Sequence, residues 1–316
     1  MIAFYLAIAL LQTPEEKLLE AAGWGDISRI KEILASGVGV NARVLVPSDP
    51  HGPGGRRIWT ALMMASGGGY VETVEFLLAA GAAVDARGSD GITTLWVAAR
   101  AGRPAVIRAL LRAGADVNRV FISEQGWVST PLLAATEEGS IETVQALIEG
   151  GAKINANPDG AGTALILAAR RSRTELVRRL LEAGASVHEV SADCGTALTC
   201  AVSWGPMEIL TDLLKARASP NAVRNGRTVL MLSVGRPEVV RALIGARADV
   251  HAKARFSRTA LIWAAIEGSS ESASLLLKAG ADVNATDEMG WTALKWAAEL
   301  NRKELVEVLE KAGGRR

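Results

Sequence analysis

Apolar residues return along this chain at helical spacing, in short runs that always break at the same places. From Thr93 the order is Leu95, Ala98-Ala99, Gly102, Ile107, Leu110-Leu111 and Gly114. Residues two, five and six places after the threonine line one face of a short helix, and those fourteen, seventeen and eighteen places on line a second. The threonine stands just before the first apolar position, so it predicts an N-cap whose hydroxyl satisfies an orphan backbone donor. Glycine at place nine breaks the first helix. Glycine at place twenty-one ends the second in left-handed backbone that a side chain would disfavour. The polar stretch that follows, Asp116-Val117-Asn118, predicts an extended turn.

The same order recurs from Thr60, Thr130, Thr163, Thr196, Thr228, Thr259 and Thr292, and the gaps between successive anchors are 33, 37, 33, 33, 32, 31 and 33 residues. A degenerate copy precedes them: Leu18, Ala21-Ala22, Gly25, Ile30, Ile33-Leu34, Gly37 and Asn41. Each copy predicts a helix–turn–helix unit with a projecting turn. No unit can bury its apolar face alone, so neighbours must stack. The length, 316 residues, would ordinarily suggest two domains; a periodicity that covers nearly the whole chain predicts one repeat array instead.

Period, threonine opening, paired small residues and the Gly-Ala-Asp-Val-Asn turn (114–118, 280–284) together resemble the ankyrin repeat family from Glu15 onward. The resemblance implies an all-α, ankyrin-repeat solenoid of stacked helix–turn–helix units with projecting β-turns or hairpin loops, about nine repeats over residues 15–316. It also implies a protein or peptide partner held on the concave face. The sequence departs from the family at place three, where the usual histidine is replaced by Met63, Trp96, Leu133, Ile166, Thr199, Met231, Ile262 and Lys295. Packing is expected to substitute for the bonds that histidine makes. The copy from Thr228 is two residues short, with the gap at the end of its first helix. Arg217 and Arg247 replace the terminating glycine in two consecutive copies, which suggests a soft joint near residues 217–250. Two insertions, 43–58 and 119–129, lie on the turn edge, where they leave stacking undisturbed; they are either binding loops or passive connectors.

Composition narrows the chemistry. Apolar residues make up 49% and aromatic residues only 4%, so the core is built mostly from Ala and Leu. A formal net charge of +1, from 35 basic and 34 acidic residues, disfavours a nucleic-acid partner. His51, His188 and His251 fall in different units and read as turn residues, so neither a metal nor a cofactor is expected. Cys194 and Cys200, one in a turn and one in a first helix, read as packing residues rather than a bridge. No phosphate-cradling loop, nucleophile elbow or catalytic constellation is present, and no stretch is left over for a catalytic domain, so an enzyme is not expected. Residues 1–14 form an apolar leader. Met1 to Leu11 are too short to span a bilayer and match the length of a signal-peptide apolar region, although no basic residue precedes them. The open alternatives are an export signal, a cap over the first repeat, and an interfacial anchor. Localisation follows from that choice: exported or periplasmic with a signal, otherwise cytoplasmic. An envelope-associated anchoring protein is the competing functional reading.

Positions free of stacking constraints carry the binding expectation. These are the residue before each threonine and the two that close each first helix. They hold Trp24, Trp59, Arg100, Arg170, Arg171, Trp204, Arg227, Arg258 and Trp291, with Trp127 nearby. Trp and Arg are the residue types enriched at interface hot spots. Trp96, Trp263 and Trp296 fall at places three and four and are expected in the core. The partner is expected to be a protein or peptide, bound by a monomer, with membrane contact only through residues 1–11.

Overall fold

The computed structural model describes residues 13–47, 56–88, 91–122, 126 and 128–315. The chain falls into two compact units, residues 1–159 and 160–316. The first contains α1 (Pro14–Trp24), α2 (Ile27–Ala35), α3 (Ala61–Gly68), α4 (Val71–Ala79), α5 (Thr94–Arg100), α6 (Pro104–Arg112), α7 (Pro131–Glu138) and α8 (Ile141–Glu149). First helices pack on first helices (α1 on α3, α3 on α5, α5 on α7) and second helices on second (α4 on α6, α6 on α8). The second unit repeats the arrangement with α9 (Ala164–Arg170), α10 (Thr174–Glu182), α11 (Ala197–Trp204), α12 (Met207–Lys215), α13 (Val229–Leu232), α14 (Pro237–Gly245), α15 (Ala260–Glu267), α16 (Ser270–Lys278), α17 (Ala293–Glu299) and α18 (Lys303–Lys311). Nine helix pairs therefore occur among the described residues.

Local chemistry explains each boundary. All eight anchor threonines cap a helix, each hydroxyl accepting from the backbone N–H three residues on at 3.2–3.4 Å. The first copy has a cap of its own, which its degenerate pattern hid. Thr13 Oγ1 accepts from Glu16 N, and Glu16 Oε2 accepts from Thr13 N, a reciprocal capping box. Second helices end as expected: Gly114 has φ 87°, and the N–H groups of Gly114 and Ala115 close on Leu111 and Leu110 carbonyls. At the first-helix ends, Gly205 departs from the left-handed pattern, with φ −70° and ψ 154°. Pro206 follows it, and the residue before a proline is restricted to extended backbone.

The core is aliphatic and Ala-rich. Leu62, Leu95, Leu165 and Leu198 at place two are buried, as are the residues at places five and six behind them: Ala65-Ser66, Ala98-Ala99, Ala168-Ala169 and Ala201-Val202. The missing histidine is replaced by more than packing. Met63, Ile166, Thr199, Met231 and Ile262 are buried at its position. Polar links between neighbouring units come instead from residues at or near the start of the second helix: Thr73 Oγ1 donates to Gly25 O (3.2 Å), Arg103 Nε to Gly67 O (3.2 Å), Arg236 Nη1 to Gly205 O (2.8 Å) and Ser272 Oγ to Val234 O (2.6 Å). Each acceptor lies at or near the end of the preceding unit's first helix. A second ladder runs along the turns. Asn41, Asn118, Asn221 and Asn284 each accept, through Oδ1, a backbone N–H of the next unit at 2.7–2.8 Å.

One reading sharpens and one changes. The insertions are built on hairpins, among the projecting hairpin loops expected: Val44–Pro47 pairs antiparallel with Arg56–Trp59, and Phe121–Ile122 with Val128–Ser129. Strand alternation seats them, with Val44, Val46 and Phe121 buried and Leu45 and Ile122 exposed. A third hairpin, Val223–Arg224 with Arg227–Thr228, turns on Asn225-Gly226, both with positive φ. Cys194 and Cys200 are not separate packing residues; they form a disulfide with Cα atoms 5.3 Å apart. The turn between Ser191 and Gly195, closed by Ser191 N–H to Gly195 O and Gly195 N–H to Ser191 O, folds back onto the start of α11. That puts residue 194 beside residue 200, within bridging distance, and the Thr199 hydroxyl donates to the Cys194 carbonyl.

Candidate partner-binding surface

In the first unit, Trp24 closes α1 and is 58% exposed. Trp59 ends the first hairpin opposite Val44 and is half-buried. Arg100 closes α5, is exposed, and lies over the buried Trp96 ring at 5.6 Å with an ion pair to Glu138 at 3.7 Å. Trp96 in turn packs against Phe121 of the second hairpin, ring centroids 5.0 Å apart. One insertion thus supports an aromatic–guanidinium cluster. Trp127 lies outside the described residues.

In the second unit, Arg170 and Arg171 are exposed, and Arg170 pairs with Asp193 at 3.3 Å. Trp204 ends α11; its side chain lies outside the described residues. Arg227, Arg258 and Trp291 are half-buried and come together with tryptophans assigned from the sequence to the core. Arg227 stacks on Trp263, Cζ 3.3 Å from the ring centroid. Arg258 lies over Trp296 at 4.7 Å and near Trp263 at 5.3 Å. Trp291 packs on Trp296 at 4.7 Å, and Lys295 lies over Trp291 at 4.5 Å. Trp96 and Trp263 are buried as expected, whereas Trp296 is only half-buried.

Asp287 organises this cluster. Its Oδ1 accepts from Met289 N (2.9 Å) and Trp291 N (3.0 Å), and its Oδ2 accepts from Trp296 Nε1 (2.9 Å). Arg258 Nε lies 3.5 Å from the same Oδ2. Burial alone would raise the Asp287 carboxyl. The N–H of Trp291, the Trp296 indole, the N–H of Met289 and Arg258 outweigh it and hold the carboxyl below its ordinary value. Desolvation lowers the Arg227 guanidinium, against the pull of Glu267 and with the push of Arg258. Desolvation raises the Glu267 carboxyl, which Arg227 partly offsets. Among the described residues no group of three or more His, Cys, Asp or Glu is placed to hold a metal ion.

A family model of ankyrin repeats, in three copies, matches residues 18–120, 122–191 and 233–314. The chain belongs to the ankyrin repeat family. Among curated relatives, it is 32% identical over 131 residues to ankyrin repeat and KH domain-containing protein mask-1 of Caenorhabditis elegans, which is 42% of this chain and 4% of that protein. It is 34% identical over 139 residues to ankyrin repeat domain-containing protein SAT10 of Stachybotrys chartarum, 44% of this chain and 6% of that protein. The alignments span only these few per cent of the relatives' own lengths.

The ankyrin register also exposes what sequence reasoning missed. Arg227 and Arg258 each precede a repeat's threonine, and the Trp each stacks on, Trp263 or Trp296, stands at place four of the following repeat. The same relation occurs twice in succession, so neighbouring repeats supply the two halves of each stack. Taking Trp263 and Trp296 as core alone overlooked that a place-four ring can be buried and still offer a face to the preceding turn. Asp287 and Phe256 went unnoticed because each belongs to an ordinary-looking turn.

Proposed function

We propose that this ankyrin protein is a non-enzymatic scaffold that holds a protein or peptide on the concave face of its repeats, through the turn residues and first-helix ends. The observation that carries the reading is the set of Arg side chains at those positions, exposed (Arg100, Arg170, Arg171) or held half-buried against tryptophan (Arg227, Arg258). Rigid, pre-stacked anchors lose little freedom on binding, which limits the ordering cost. Affinity capture with the full chain and with a Trp24→Ala/Arg100→Ala/Arg170→Ala variant tests it. Recovery of specific partners is expected to fall at least tenfold in the variant, and equal recovery overturns the assignment.

A second reading concerns the compartment. Disulfides persist where the surroundings are oxidising, so the Cys194–Cys200 bridge favours the export reading of residues 1–14 over a cytoplasmic location. Alkylation of free thiols in intact cells is expected to leave both cysteines unlabelled. Quantitative labelling of both removes the reading. Among the described residues no helix is long and apolar enough to cross a membrane, and fractionation with and without residues 1–12 tests the anchoring alternative.

A further inference from the structure

One guanidinium of the second unit lies flat on a ring and makes no hydrogen bond among the described residues. Arg227 is half-buried and immobilised on the Trp263 face, yet among the described residues its guanidinium has no hydrogen-bond or ion-pair partner. Trp263 is 8% exposed, and its Nε1–H is a buried donor without a partner. Trp263 Nε1 is covered and takes no ligand, so what the stack offers an acceptor is the half-buried edge of the Arg227 guanidinium, held flat on the ring. Arg258 differs: Asp287 already neutralises it, and it serves as the fixed floor behind Trp263 and Trp296.

The surroundings define what fits. Arg255 and Lys295 add positive charge around the stack, while Glu267 and Glu288 interrupt it. Phe256 (45% exposed) and Met289 (61% exposed) stand at the tips of adjacent turns, and Glu288 N–H donates to Phe256 O at 3.1 Å. Phe256 and Ser257 hold left-handed backbone, φ 64° and 56°, strain of the kind that collects at ligand clamps. A strand of phosphates would meet Glu267 and Glu288. A peptide with one carboxylate flanked by apolar side chains matches both the open guanidinium and the apolar rim.

We propose that the Arg227–Trp263 stack is a carboxylate-recognition pocket for an acidic, partly apolar peptide segment of the partner, with Phe256 and Met289 taking the flanking side chains. The planar guanidinium receives the Asp or Glu carboxylate side-on, the geometry that favours arginine over lysine. This rests on the scaffold reading above and names the partner chemistry at one part of that surface.

Selection of a random peptide library displayed on phage against the full chain tests it, followed by titration of synthetic peptides. Recovered peptides are expected to carry Asp or Glu. Changing that residue to Asn or Gln, or Arg227→Gln in the protein, is expected to weaken binding at least tenfold, and the two changes together little further. Arg227→Lys keeps the charge without the planar fork and is expected to lose only part of the affinity. Should Arg227→Gln fail to fold by circular dichroism, the peptide substitution and Arg227→Lys decide. Peptides without acidic residues, or acidic peptides indifferent to Arg227, overturn the pocket. If their binding still depends on Trp24 and Arg100, the scaffold reading survives. Recovery of no peptide and no partner removes both. A labelled oligo-dT bound more tightly than the best peptide replaces the occupant and overturns the proposal.

Discussion

Arg217 and Arg247 stand where the other units end their second helix in glycine, and both have φ 65°. An L side chain in that region costs roughly 1–2 kcal/mol, and glycine returns part of this through its larger unfolded-state entropy. Arg217→Gly and Arg247→Gly are therefore each expected to add about 0.5–1 kcal/mol, seen as a higher urea midpoint at unchanged slope. Asp287 is the opposite case, a buried carboxylate on which four donors converge. Asp287→Ala would strand the Trp296 indole, two backbone N–H groups and the floor arginine, for a loss of about 3 kcal/mol. Because its folded pKa is depressed, its contribution is complete above the unfolded value of ~3.9. It is lost as pH falls through the lower folded value. A stability–pH titration of Asp287→Asn against the parent should show that the acid-side slope belonging to this group has gone.

Elements carry the second set of consequences. The 119–129 hairpin is seated by Phe121, which is 3% exposed and packed on Trp96. Phe121→Ala is expected to cost about 3 kcal/mol and to shift Trp emission to longer wavelength as water reaches the ring. The Cys194–Cys200 bridge closes a loop of sequence separation 6. Loop-closure entropy for so short a loop is about 2 kcal/mol, and urea unfolding with and without reductant measures it. The helix Val229–Leu232 has four residues against seven or eight in every other first helix capped by an anchor threonine, where the sequence placed its gap. Ser233 Oγ donates to its Leu230 carbonyl, and Ser272 Oγ donates to the carbonyl of Val234 just beyond its end.

At the scale of the molecule, stability in stacked repeats is close to a sum of unit and nearest-neighbour terms, so weak units show as local openings rather than a global loss. The stretch from 192 to 232 lies between the segments that the family model matches, and it contains Arg217 and the short helix. Hydrogen exchange is expected to be faster in Val229–Leu232 than in Ala260–Glu267. Equal protection there would remove the soft-joint proposal. The repeat edges lie outside that stacking, and the Arg–Trp stacks arise there, where two successive repeats each contribute one half.

The period, the threonine caps, the left-handed terminations and the short seventh unit were all legible in the sequence, because each follows from a backbone requirement met within about thirty residues. The family, too, was written in that register. Three features needed the tertiary structure. The cysteines became a bridge because a turn closed back on its helix. The inserted segments became hairpins because alternate strand residues found buried seats. Trp263 and Trp296 became beds for Arg227 and Arg258 because stacking sets one unit's turn over the next unit's helix. Local propensity shapes a repeat, but only neighbours in space decide which face of a side chain stays covered and which is left for a partner.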